Sequence, residues 1–154
     1  MSERELSHID ERGQASMVDV GHKPPLRRTA IARGVLVASA STLTRLIAGD
    51  LPKGEGLAVA RIAGIQAAKR CDELIPLCHS LPLDAVHIDF EHDGNQRLVV
   101  TSTVSTTART GVEMEALLAA STALLTVWDM VKAIDSDLMI ESVTLVEKRK
   151  EQCE

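Results

Sequence analysis

The stretch from Ala116 to Trp128, ALLAASTALLTVW, runs for 13 residues without a single charge. At 3.6 residues per turn it covers more than three turns, so no side of such a helix is charged. A helix resting on a sheet needs only one apolar stripe. One that is apolar all round must be covered on several sides, and a chain of 154 residues encloses little interior. The surplus predicts a homo-oligomer. The run itself falls short of the ~20 residues that span a bilayer. The opening segment, MSERELSHIDERG, lacks the apolar core of a signal peptide. No membrane association is expected.

Composition narrows the class further. Hydrophobic residues make up 45% and charged residues 25%, ordinary for one globular domain and unlike a disordered, collagenous or disulfide-stapled chain. Lys and Arg number 17 against 22 Asp and Glu, a net charge of −5. Nucleic-acid coating therefore has no global electrostatic support, although a local basic site is compatible. Phe90 and Trp128 are the only aromatic residues, too few for a base-stacking surface. The three cysteines, Cys71, Cys78 and Cys153, are odd in number and suit a reducing cytoplasm.

The pattern of elements predicts an α+β fold. Residues 1–25 are polar, end in a Pro pair and read as an extended arm, with Met17 to Val20 as the cluster that pins it. Thr29 to Ser39 reads as a strand, Ser41-Thr42 as the N-cap of a short helix ending at Gly49, and Leu57 to Arg70 as a helix rich in Ala and Gly. Strands are expected at Ala85 to Glu91 and Arg97 to Thr106, joined by a His-Asp-Gly-Asn turn. A long helix from Gly111 to Ile134 and a last strand from Met139 to Glu147 complete the order. This is the split βαβ pattern of ferredoxin-like folds, an antiparallel sheet with helices on one face. The domain is expected over 26–149, followed by a short tail over 150–154.

Four segments can carry chemistry. Lys53 sits in Lys53-Gly54-Glu55-Gly56, where glycines permit close backbone approach and a helix N-terminus follows. It reads either as an anion contact or as a solvated loop lysine; the Gly-Lys-Ser/Thr ending of a Walker A loop is absent. The segment Pro76-Leu77-Cys78-His79 reads as a rigid loop offering a histidine to a hydrogen bond or proton, or as a histidine packed on its own loop. Zinc fits poorly, since Cys78 abuts His79 and no second close ligand pair is present. Glu113, Met114 and Glu115 open the long helix, where acids complement the dipole. Two positions apart, the glutamates point about 200° from each other on a regular helix and are not expected to face one ligand. Asp129 and Lys132 share a helix face at i, i+3 directly after the charge-free run. They read as a surface ion pair or as a carboxylate that orients a lysine for proton transfer. Arg28, Arg61, Lys69, Arg70 and Lys148 are further cations that could focus a small polyanion.

Taken together, MVDVGHKP, KGEGLAVARIAGIQAAKR, ELIPLCHSLPL, RTGVEMEALLAAS and WDMVKAID resemble the MoaC family over about Leu6 to Lys148. The resemblance implies a ferredoxin-like fold and a hexamer built as a trimer of dimers. It implies conversion of a cyclised dihydro-GTP to cyclic pyranopterin monophosphate with loss of pyrophosphate, in molybdenum-cofactor biosynthesis. Position by position, Lys53 and Lys132 match the family's catalytic lysines and Asp129 its active-site aspartate. Leu77, Cys78 and His79 match the substrate-binding loop, Met114 and Glu115 the pair at the helix start, and Arg28, Lys69, Glu113 and Lys148 further pocket residues. No resident cofactor or metal is implied; Mg²⁺ would arrive with the triphosphate. The chain departs from the family pattern at Ser80, Ala108, Trp128 and Val131, and in Lys148-Arg149-Lys150-Glu151, where a glycine-rich tail is common. The rival classes are a non-catalytic nucleotide- or anion-binding regulatory module of the same fold, and an interaction-only assembly protein.

Overall fold

The computed structural model describes residues 8–153. Its sheet is built from β1 (Leu26–Val37), β2 (Ala85–His92), β3 (Arg97–Ala108) and β4 (Met139–Glu151). The order across the sheet is β2-β3-β1-β4, with every neighbouring pair antiparallel. The helices are α1 (Ala40–Ala48), α2 (Gly56–Lys69), the single turn α3 (Cys71–Leu74) and α4 (Glu113–Val131). Central strands β3 and β1, edge strands β2 and β4 each reached by a helical crossover, and helices on one face make this the expected α+β ferredoxin-like arrangement.

Alternation fixes which face is covered. Ala30, Ala32 and Leu36 of β1 and Leu98, Val100 and Val104 of β3 are buried on the face that α4 covers, while α2 packs on α4 and β2 and the alternate residues are more open. Small residues let the layers approach closely. A Cβ on Gly64 of α2 would lie 3.0 Å from the Ala119 carbonyl of α4, so only glycine permits this helix–helix distance. Buried Ser102 of β3 donates to the Ala116 carbonyl at 2.6 Å and pins the first turns of α4 to the sheet. By length and composition α4 could cross a membrane, yet half of its most apolar stretch is buried in this fold. Leu125 on its outer side is 59% exposed, so the chain leaves part of the helix uncovered.

Several boundaries differ from expectation. β1 starts at Leu26, immediately after the Pro24-Pro25 pair, because proline supplies no N–H to a ladder. It ends at Val37, so that Ser39 rather than Ser41 or Thr42 is the N-cap of α1; its hydroxyl accepts from the Thr42 N–H at 3.2 Å. α1 stops at Gly49 in the left-handed conformation (φ 72°), as expected. α4 is shorter than 111–134 at both ends. β4 runs past 147 and past the boundary at 149, pairing Glu151 with Arg27 of β1. Its charged C-terminal half hides the alternation that marks a strand in sequence. Two register shifts against β1, at Ile31/Ala32 and Val35/Leu36, bulge the strand.

Candidate active site

α4 carries chemistry at both ends. At its C-terminal end one carboxylate holds two ammonium groups. Lys53 donates to Asp129 Oδ2 at 2.8 Å and to the Asp129 carbonyl at 2.8 Å. Lys132, at the C-cap, donates to Asp129 Oδ1 at 2.7 Å. The Lys53 loop reaches this point because Gly56 lacks a Cβ: one placed there would meet Leu46 at 2.6 Å and Leu51 at 2.9 Å, with Met130 at 3.6 Å. Hydrogen bonds from Lys132 and then Lys53 hold the Asp129 carboxyl down to about 2. All three side chains remain open to solvent (40–57% exposed), as groups that meet a ligand must be.

The N-terminal end of α4 borders a cavity of about 590 Å³, in the range that suits a small-molecule ligand. Leu77, Cys78 and His79 form one wall, and Glu113, Met114 and Glu115 form another. Both glutamates face this space, contrary to the 200° argument. The reason is that Glu113 is the first helical residue and the cavity wraps around the helix end, where the regular spacing does not apply. Glu115 is 4% exposed, and burial followed by the charge of Glu113 pushes its carboxyl up. Burial also pushes the Cys71 thiol to about 12 and raises that of Cys78. Among the described residues, no three His, Cys, Asp or Glu side chains gather so as to hold a metal ion.

The N-terminal arm supplies the remaining wall through His8, Val18, Val20 and Lys23. His79 Nε2–H donates to the Val18 carbonyl at 2.7 Å, which leaves Nδ1 as the acceptor of the neutral ring. The Met17–Val20 cluster was legible as a pin, but its place in the cavity was not. Residues 1–7 of the arm lie outside the described residues.

A second, polar depression of about 230 Å³ adjoins the first. Arg28, Glu113, Lys148 and Lys150 line it, and Lys148 pairs with Glu113 at 3.3 Å. Arg28 donates to the Ala108 and Arg109 carbonyls at 3.2 and 3.3 Å. The other predicted cations do not converge here. Lys69 borders a separate hollow beside Leu81, Leu83 and Asp84. Arg61 lies over the Phe90 ring and donates to the Ile88 carbonyl, which makes it a packing residue.

The two ends of α4 are far apart. Met114 and Asp129 are separated by 15 positions, which at the helical rise is about 22 Å. Within the chain the lysine cluster and the His79 cavity are thus distinct places.

A sequence profile of the MoaC family matches residues 17–151. The chain belongs to the MoaC family. Among its relatives, the cyclic pyranopterin monophosphate synthase of Novosphingobium aromaticivorans is 54% identical over 147 residues, covering 94% of this chain and 92% of that protein. The protein of the same name from Herpetosiphon aurantiacus is 55% identical over 139 residues, covering 90% and 85%. Cyclic pyranopterin monophosphate synthase 2 of Mycobacterium tuberculosis is 51% identical over 144 residues, covering 94% and 86%. Membership in the MoaC family accounts for the order and spacing of motifs that no local pattern explains.

Proposed function

We propose that this chain is a cyclic pyranopterin monophosphate synthase, a lyase of molybdenum-cofactor biosynthesis. It converts (8S)-3',8-cyclo-7,8-dihydroguanosine 5'-triphosphate to cyclic pyranopterin monophosphate and pyrophosphate. The names and identities of its relatives support the activity. The single observation that carries the chemistry is the grip of Asp129 on both Lys53 and Lys132.

The reaction must hold a triphosphate, move protons while a ring opens and recloses, and stabilise charge on the departing pyrophosphate. Lys53 and Lys132 exchange protons with substrate, and Asp129 fixes where their ammonium groups point. Released from the carboxylate, each lysine can donate to a developing negative charge, so the cluster is preorganised for the transition state. His79 positions the purine-derived part or a phosphate, alongside Leu77, Cys78, Met114 and Glu115. Arg28, Lys148, Lys69 and Glu113 complete the anion-binding surroundings. No resident cofactor is required, and Mg²⁺ accompanies the triphosphate without a dedicated protein site.

Because one substrate cannot bridge about 22 Å, the Asp129 end of one protomer meets the His79 cavity of another. The uncovered outer side of α4, with Leu125 exposed, supplies an apolar surface for that meeting. A cytoplasmic homohexamer, a trimer of dimers, meets this need. Incubating the purified chain with the cyclised triphosphate and measuring pyrophosphate tests the reading. Stoichiometric release is expected; binding without release would leave only the regulatory-module reading.

A further inference from the structure

Lys53 and Asp129 are brought together from opposite halves of the chain, so their 2.8 Å contact lasts only if the segments that carry them are locked to each other. We propose that Asp135 is a positioning residue that locks them, by tying the N-terminus of α1 to the chain leaving α4. The role assumes that the lysine cluster works on substrate, as proposed above; the tie itself does not depend on that.

The geometry is specific. α4 ends with Lys132 N–H donating to the Trp128 carbonyl at 2.9 Å, then Ile134 and Asp135 N–H donating to the Val131 carbonyl at 2.9 and 3.1 Å. Asp135 then turns its carboxylate back. Oδ2 accepts from the Ser39 N–H at 2.9 Å, and Oδ1 accepts from the Asp137 N–H at 3.0 Å. Ser39 is the N-cap of α1. One side chain thus satisfies an N–H at the start of α1 and another in the turn three to five residues beyond Lys132.

The consequence is mechanical. α1 is a rod of nine residues, and the Lys53 loop follows directly from its far end at Gly49. Fixing the start of the rod sets its direction and therefore where the loop arrives. At that far end, Gly56 packs against Leu46, Leu51 and Met130 without space for a Cβ. The loop is braced by a charged tie at one end of α1 and by apolar contact at the other, on a rod whose Leu43 and Leu46 are themselves buried. Loss of the tie leaves the apolar brace intact, so the loop should loosen while the fold survives. Burial pushes the Asp135 carboxyl up, but the hydrogen bonds from Ser39 and Asp137 outweigh it and hold the group below the usual range. Asp135 is therefore a charged, strong acceptor at neutral pH.

Two full-length variants test this. Asp135→Ala removes both bonds; Asp135→Asn keeps the volume and one acceptor and places an amide where Ser39 N–H needs an oxygen. The first measurement needs no substrate: the Asp129 carboxyl is titrated by carbon-13 NMR. In Asp135→Ala its midpoint should climb from about 2 part of the way toward the usual value near 3.9 as Lys53 slackens, while Lys132 stays held at i, i+3. Asp135→Asn should fall between. The second is turnover, in which kcat should drop about tenfold or more while KM stays within about twofold, the signature of a lost transition-state arrangement. Variants that unfold at lower temperature yet keep the wild-type Asp129 midpoint and kcat would overturn the proposal, leaving Asp135 a stabilising cap only. Should Asp135→Ala fail to fold, Asp135→Asn decides by the same two readouts. A shifted Asp129 midpoint in Asp135→Ala, with no pyrophosphate released by the unsubstituted protein, would sustain the tie and sink the enzymatic reading.

Discussion

Asp129 binds Lys53 and Lys132 with different oxygens of one carboxylate, at 2.8 and 2.7 Å. The two lysines therefore share an anchor but not an acceptor atom, and each can leave while the other remains held. This asymmetry gives the pair separable roles.

Lys132→Ala should abolish pyrophosphate release while substrate still binds, because a contact made in the transition state affects kcat rather than affinity. Lys53→Ala should lose turnover and some affinity. Lys132→Arg keeps the charge but cannot give up a proton near neutrality. Calorimetric binding and steady-state kinetics on the three variants check the division; near-normal turnover in Lys132→Arg would reduce Lys132 to an electrostatic clamp.

The anchor should survive mild acid. An Asp129 carboxyl lowered to about 2 in the fold, against about 3.9 in the unfolded chain, contributes stability fully present above pH 3.9. That contribution fades as pH falls through about 2. The acid limb of activity between pH 7 and 5 should therefore be unrelated to Asp129. A carbon-13 titration showing an Asp129 midpoint above 4 would contradict this.

Mixing should rescue paired defects. Lys132→Ala and His79→Ala damage opposite ends of α4 and each should be nearly inactive alone. If the site is shared between subunits as proposed, oligomers reassembled from an equal mixture should regain about a quarter of wild-type activity, because random partners combine two intact halves in that fraction of sites. No recovery after confirmed subunit exchange would mean that one protomer supplies the whole site.

The α2–α4 seam should reject a methyl group. Gly64→Ala would set a Cβ 3.0 Å from the Ala119 carbonyl, and backbone cannot rotate aside as a side chain can. Separating the helices should cost about 1–3 kcal/mol, seen as a lower denaturant midpoint at unchanged m-value.

Legibility from sequence followed the range of the interaction. Asp129 and Lys132 could be paired in advance because a helix repeats every 3.6 residues. Lys53 could not be added to them by spacing, since its contact spans 76 positions and depends on Gly56 admitting the loop. The hairpin of β2 and β3 was plain from alternation and its turn, where Asp93 Oδ1 accepts from the Asn95 and Arg97 N–H groups. The last third of β4 was hidden because Lys148 to Glu151 carry charge on both faces, and strand pairing there rests on backbone alone. The tie from Asp135 to Ser39 was likewise invisible. A carboxylate that accepts from a distant main-chain N–H leaves no trace in composition or period.

Eleven of the twenty-five buried apolar residues among the described part of the chain are alanines, and none is aromatic. Alanine surrenders no rotamer freedom on burial but removes little surface from water. Such an interior is cheap to order, and replacing one of these alanines with glycine costs only about 0.5–1 kcal/mol. Its weakness lies in the opposite direction, since each added carbon would push apart layers whose main chains already touch. Natural variation at these alanines should thus stall at larger residues, the reverse of the tolerance found where big side chains fill the centre.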